Sequence, residues 1–154
     1  MQILVIVVGK PKDPALAAAA REYERRASRY WPLVVMEVRE EPAKGRTPQY
    51  VKEREGERIL KQVPTGATLG TCAEGGRPMS SEAFSQWLSA ARESARDLAL
   101  TIGGAFGLGD NVMAAASMTL SLAPFTLPHE LARVVLAEQC YRAGTIARGE
   151  PYHK

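Results

Sequence analysis

Residues 121–143, SLAPFTLPHELARVVLAEQCYRA, decide how this chain is read. An apolar run breaks at Pro124, resumes for three residues and breaks again at Pro128. Only then does a long amphipathic helix begin, fading near Gly149. Proline fixes φ and carries no N–H donor. Two prolines so close make a rigid bend, and the N–H groups between them, Phe125 to Leu127, are left pointing inward or at a ligand. A flat heteroaromatic base with donor and acceptor edges could be held by such groups. The bend also has a place in a larger pattern, because the segment before it, MTLSLA (118–123), reads as a strand.

Working outward, the same strand-then-helix unit recurs. QILVIVV (2–8) is a continuous apolar run rich in β-branched residues, as expected of a strand buried on both faces. Asp13-Pro14 supplies a helix N-cap and a first-turn proline. An Ala- and Arg-rich helix follows to about Tyr30, where Trp31-Pro32 stops it. LVVMEV (33–38) is a second strand. Thr47-Pro48 repeats the cap signal and opens a charged helix to about Gln62. ATLGTC (67–72) is a third strand, with a turn expected at Gly75-Gly76. Ser80 or Ser81 caps a helix to about Arg96, and LALTI (98–102) is a fourth strand ending in GGAFGLG. A short helix follows Asp110. Strands alternating with helices predict an α/β fold, with a mainly parallel sheet and helices on both faces. The 154 residues suit one domain, 1–154, with no linker or repeat dividing them.

Composition narrows the function. The formal charge is +3, a mild bias toward polyanionic partners. The two cysteines, Cys72 and Cys140, belong to no Cys-x-x-Cys or His-Cys cluster, so no zinc site is expected. No apolar run is long enough to span a bilayer, and MQILVIVVGK lacks the basic region and cleavage site of a signal peptide. These features predict a cytoplasmic protein without a membrane role.

Ligands of open parallel sheets bind beyond the C-terminal ends of the strands. Three such ends are chemically unusual here: TCAEGG, GGAFGLG and APFTLPH. The glycines at 103, 104, 107 and 109 lack the dinucleotide-binding spacing. No phosphate-binding P-loop and no Gly-x-Ser-x-Gly nucleophile elbow occurs.

The combination of IGGAFGL, LAPFTLPHELARVVLAEQCYRA and the terminal GEPYHK resembles the ribosomal RNA large subunit methyltransferase H family. These are pseudouridine N3-methyltransferases of the SPOUT (α/β-knot) superfamily. The resemblance runs the full length, supported more weakly by AREYERR and KEREGERIL. It implies a deep trefoil knot in the C-terminal half, a feature that ordinary chain-threading rules would never predict. It implies S-adenosylmethionine bound by backbone from three loops: Cys72, Gly104, and Ala123, Pro124, Phe125, Thr126, Leu127 and Pro128. It further implies a homodimer in which the tail of one subunit serves the cofactor pocket of the other. The substrate would be RNA of the large subunit, met in the subunit or the assembled ribosome. The family usually carries Gly-Gly-Pro-Glu-Gly or Gly-Gly-Ser-Asn-Gly where this chain has Gly103-Gly104-Ala105-Phe106-Gly107, so Phe106 replaces a polar residue.

The methyl donor is already activated, so positioning should supply most of the catalytic effect. The N3 of a pseudouridine must lose a proton, and a general base would help. His129 and His153 are the only histidines. His153, in the tail, is the leading candidate for the catalytic base, with Tyr152 a stacking partner for the base. His129, Arg133 and Arg142 are expected substrate contacts. Packing or capping is the competing reading for His129, and an ion pair with Glu138 for Arg142. Two other function classes remain open at this level: a non-catalytic RNA- or ribosome-binding protein of the same fold, and a methyltransferase with a small-molecule substrate.

Overall fold

A computed structural model describes residues 1–154. Ten elements alternate along the chain: β1 (Ile3–Val8), α1 (Pro14–Ala27), β2 (Leu33–Val38), α2 (Pro48–Leu60), β3 (Thr68–Pro78), α3 (Ser81–Glu93), β4 (Leu98–Ile102), α4 (Asp110–Ala115), β5 (Met118–Ser121) and α5 (His129–Ala147). The expected caps form. The Asp13 carboxylate accepts from the N–H groups of Ala15 and Leu16, Thr47 caps α2 through Tyr50, and Ser80, not Ser81, caps α3 through Ala83.

The five strands form one sheet in the order β2-β1-β4-β3-β5, and every pair is parallel. Alternate residues of β1 divide between two cores. Ile3, Val5 and Val7 face α1, α3 and α5, with Trp31, Leu88 and Leu136 among the fully buried partners. Leu4, Ile6 and Val8 face α2 and α4 with Ile59 and Val112. Burial on both sides is why the strand reads as an unbroken apolar run.

Helix α5 lies between α1 and α3. Small residues, Ala132, Ala137, Cys140, Ala143 and Gly144, make up most of its buried side beside Leu136, Arg133 and Thr145, and at Gly144 a Cβ would lie 2.3 Å from the Tyr30 ring, so the chain approaches closely there. Polar ties fix its position: Trp31 Nε1 donates to the Cys140 carbonyl at 2.9 Å, and Ser85 Oγ donates to the Ala143 carbonyl at 2.8 Å.

One expectation fails. Gly75-Gly76 does not end β3 in a turn; the strand continues to Pro78. Its register against β5 shifts between Cys72 and Arg77, both of which pair with Leu120. Gly76 permits this irregularity, because a Cβ there would lie 2.7 Å from the Leu120 carbonyl carbon. β5 is also shorter than expected, ending at Ser121, whose hydroxyl donates to the Ala123 carbonyl as the chain enters the bend.

Candidate active site

Beyond the C-terminal ends of β3, β4 and β5 lies a cavity of about 710 Å³. That is within the range of small-molecule and cofactor pockets. Three segments wall it, Cys72–Glu74, Ile102–Leu108, and Leu122 to His129 without Pro124, joined by Met113 and Ala132. The sheet order explains the convergence, because β4, β3 and β5 are neighbours and their C-terminal ends emerge side by side.

The glycine loop is shaped by its own backbone. Gly107 has φ +83°, a region open to glycine. Its N–H donates to the Gly104 carbonyl at 3.0 Å. A Cβ on Gly103 would lie 2.6 Å from the Gly107 carbonyl oxygen, so the fold-back of the loop needs glycine there too. In the proline bend, the N–H groups of Phe125, Thr126 and Leu127 donate to no other group of the chain. They are free for a ligand or solvent, as the proline spacing implies. A roomy, largely apolar cavity rimmed by uncommitted main-chain donors fits a heteroaromatic cofactor.

Of the residues singled out from the sequence, Cys72, Gly104, Ala123, Phe125, Thr126, Leu127, Pro128 and His129 line this cavity. Pro124 is not in its wall; it shapes the bend. Cys72 is buried, and burial pushes its thiol up to about 12, so it stays neutral and is no nucleophile at neutral pH. Phe106 and Phe125, respectively 44% and 80% exposed, both border the cavity, one from the glycine loop and one from the proline bend.

Arg133 has a different place. It is buried on α5, and its guanidinium is held by Glu24 of α1 at 2.7 Å and Glu37 of β2 at 2.8 Å. Burial opposes its charge, and the two carboxylates more than offset this. The donors expected for substrate are turned to this triad. The periodicity that placed Arg133 one turn beyond His129 was sound, but no local pattern announces partners 96 and 109 residues away.

His153, Tyr152 and Arg142 form a second cluster, outside the cavity wall. His153 Nε2 lies 2.7 Å from Glu82 Oε1, and its Nδ1 lies 3.2 Å from Arg142 Nη1. Arg142 also pairs with Glu138 at 2.7 Å and lies over the Tyr152 ring at 4.7 Å. The Tyr152 hydroxyl donates to Glu138 at 3.0 Å. Burial, with hydrogen bonds to Tyr23 and Glu138, raises the Tyr152 phenol above its ordinary range. The Glu82 carboxyl is held down to about 2 by its own backbone N–H, then by His153 and Ser80. Within one chain, the tail is thus not brought together with the cavity.

Sequence reasoning missed Glu55. It sits on α2, 4% exposed, with its carboxyl against Gly104. A lone carboxylate on the buried side of a charged helix carries no signal distinguishing it from its solvated neighbours.

Comparison with known proteins places these features. The family model described as "Predicted SPOUT methyltransferase" matches residues 1–153. The Ribosomal RNA large subunit methyltransferase H of Gemmatimonas aurantiaca is 53% identical over 154 residues, covering all of both chains. The protein of the same name from Syntrophotalea carbinolica is 41% identical, covering 99% of each chain. Among solved structures, a methylase family protein from Haemophilus influenzae Rd KW20 aligns with a TM-score of 0.58 at 14% identity, covering 99% of this chain and 70% of that one. That likeness speaks to the fold alone. The parallel sheet with its three converging loops agrees with the family match over 1–153 and with the end-to-end likeness to these relatives: this chain belongs to the SPOUT methyltransferase family.

Proposed function

We propose that this chain is an S-adenosylmethionine-dependent methyltransferase of large-subunit ribosomal RNA, acting on N3 of a pseudouridine. It works in the cytoplasm as a homodimer, each subunit a single SPOUT-type domain with the deep knot in its C-terminal half. The observation that carries the reading is the end-to-end match to relatives named Ribosomal RNA large subunit methyltransferase H, two of them 53% and 41% identical. No helix is long and apolar enough to cross a membrane, consistent with a partner in the ribosome.

S-adenosylmethionine supplies an activated methyl group on a sulfonium. The chain's own residues do the rest. Cys72, Gly104, Ala123 and Phe125 to Pro128, which line the cavity, would hold the cofactor, mostly through main-chain atoms, with the free N–H groups of Phe125 to Leu127 as donors and Pro124 fixing the bend. The largely apolar wall would limit the water around the methyl group. His129, in the same wall, meets the substrate side of the cavity.

His153 takes the N3 proton. In the isolated chain both of its ring nitrogens are engaged, Nε2 with Glu82 and Nδ1 with Arg142. The Glu82 carboxylate accepts from Nε2–H, which leaves Nδ1 as the basic atom. Nδ1 exchanges the Arg142 contact for the substrate imide, and Arg142, still paired with Glu138, then turns its released Nη1 to RNA. Because His153 lies outside its own cavity wall, the partner's pocket is where it acts. Leu131, Val134 and Val135 support the dimer. They are only partly buried on α5 and belong to neither core cluster, an apolar strip for a second copy.

The test is methyl transfer to ribosomes from labelled S-adenosylmethionine, with mass spectrometry of the large-subunit RNA. A single N3-methylated pseudouridine, absent from cells lacking the gene, is expected. Transfer to a different nucleotide would overturn the assignment of substrate, and no cofactor binding at all would overturn the enzyme reading.

A further inference from the structure

Glu55 Oε2 is the only buried side-chain polar atom in the molecule without a hydrogen-bond partner. Its other oxygen accepts from the Glu41 N–H at 3.0 Å. A buried polar group left unpaired is costly, so such a group calls for an explanation.

Its surroundings supply one. A Cβ on Gly104 would lie 2.9 Å from Oε2, 3.3 Å from Oε1 and 3.1 Å from Val8 Cγ1. Gly104 also lines the cavity. Only the backbone of one glycine therefore separates the carboxyl from the ligand space. None of the charged neighbours is bonded to Oε2. Arg58 is engaged by Glu41 and by the Arg39 carbonyl at 2.9 Å, and Glu40 lies 3.5 Å from Lys12. From β1 and the glycine loop no charged group reaches Glu55. Burial raises its carboxyl, opposed by the Glu41 N–H and by Arg58, while Glu40 and Glu41 add to the rise. The cavity wall itself carries only Glu74, His129 and the neutral Cys72 as titratable groups.

We propose that Glu55 is a positioning residue that acts through the Gly104 backbone, supplying the negative potential by which the cavity prefers a sulfonium to a neutral thioether. The inference rests on the S-adenosylmethionine reading. Methyl transfer leaves the electron pair of the broken C–S bond on sulfur, so the donor is a cation there and the product is not. A charge behind the glycine loop holds the donor and lets the product go. Bound donor in turn favours ionised Glu55, so donor affinity rises with pH through the titration of this carboxyl.

The two ligands differ by one methyl and one charge, so their affinity ratio isolates the electrostatic effect from packing. Calorimetry with S-adenosylmethionine and S-adenosylhomocysteine, from pH 4.5 to 8, tests it on the full chain and on Glu55→Gln. Glutamine keeps the shape and the bond from Glu41. The wild-type ratio should rise by about tenfold over that range, the equivalent of one pKa unit of coupling. In Glu55→Gln it should be lower at neutral pH and lose that rise. His129 and Glu74 are common to both proteins, so the difference belongs to Glu55. An unchanged ratio and profile in Glu55→Gln, with both ligands bound, would overturn this inference alone. Failure of both ligands to bind the wild type would overturn it together with the cofactor reading. Should the variant not fold, a wild-type ratio flat with pH would overturn it.

Discussion

Replacing Arg133 with Ala separates a structural role from the substrate contact expected of it. The guanidinium is 8% exposed and makes ion pairs at 2.7 and 2.8 Å to Glu24 and Glu37, whose side chains are 14% and 29% exposed. Removing one partner of a buried ion pair costs about 3–5 kcal/mol, because a charge is stranded away from water. Two carboxylates are stranded here, yet Glu37 is the more exposed and recovers part of its hydration. We therefore expect a loss of about 3 kcal/mol. At about 2–4 °C per kcal/mol for a domain of this size, the melting temperature should fall by roughly 10 °C. Urea unfolding followed by far-ultraviolet circular dichroism reads the loss, with an unchanged slope confirming that the compactness of the end states is preserved. The triple variant Arg133→Leu, Glu24→Gln, Glu37→Gln should recover much of the stability, since no charge is left unpaired. A surface arginine reserved for RNA would cost no more than about 0.5 kcal/mol. A measured loss below about 1 kcal/mol would refute the triad as the reason for this residue.

Three other outcomes follow from the geometry. Gly104→Val should weaken cofactor binding measured by calorimetry; the added side chain meets Glu55 and Val8 and drives the loop toward the cavity, and unchanged affinity would place the ligand elsewhere. His153→Ala should abolish methyl transfer while sparing cofactor binding, and mixing it with a Gly104→Val protein should restore activity, because one hybrid dimer pocket then has both an intact loop and an intact tail; failure to complement would argue against a shared site. The Glu82 carboxyl should titrate near pH 2 by NMR. Its folded value lies below the ordinary carboxylate value of about 4.3. Its stabilising contribution is therefore present above about pH 4.5 and lost as pH falls through 2, and Glu82→Gln should lose that acid-limb dependence.

The strands and helices were legible because their causes are local. Asp13-Pro14, Thr47-Pro48 and Ser80 announce helix starts that the backbone then forms. ILVIVV (3–8) is apolar at every position because both faces of β1 are covered. The C-terminal motifs were specific enough to indicate the family, which the profile match over 1–153 shows. The β3 extension was not legible, since glycines at 75 and 76 favour a turn locally and only the crossing over Leu120 makes use of them for an irregular strand.

By itself, then, the sequence determined the alternating elements, the three unusual strand ends and the two-proline bend, all consequences of short-range sterics and periodic burial. The tertiary structure alone decided which strand ends are neighbours, and so that segments 72–74, 102–108 and 122–129 share one cavity. It decided that Arg133 meets Glu24 and Glu37, that the tail rests on α3 and α5, and that Glu55 stands behind Gly104. Those are long-range pairings, set by the order in which strands join the sheet, and a charge or a glycine in one dimension carries no record of the partner that packing will bring to it.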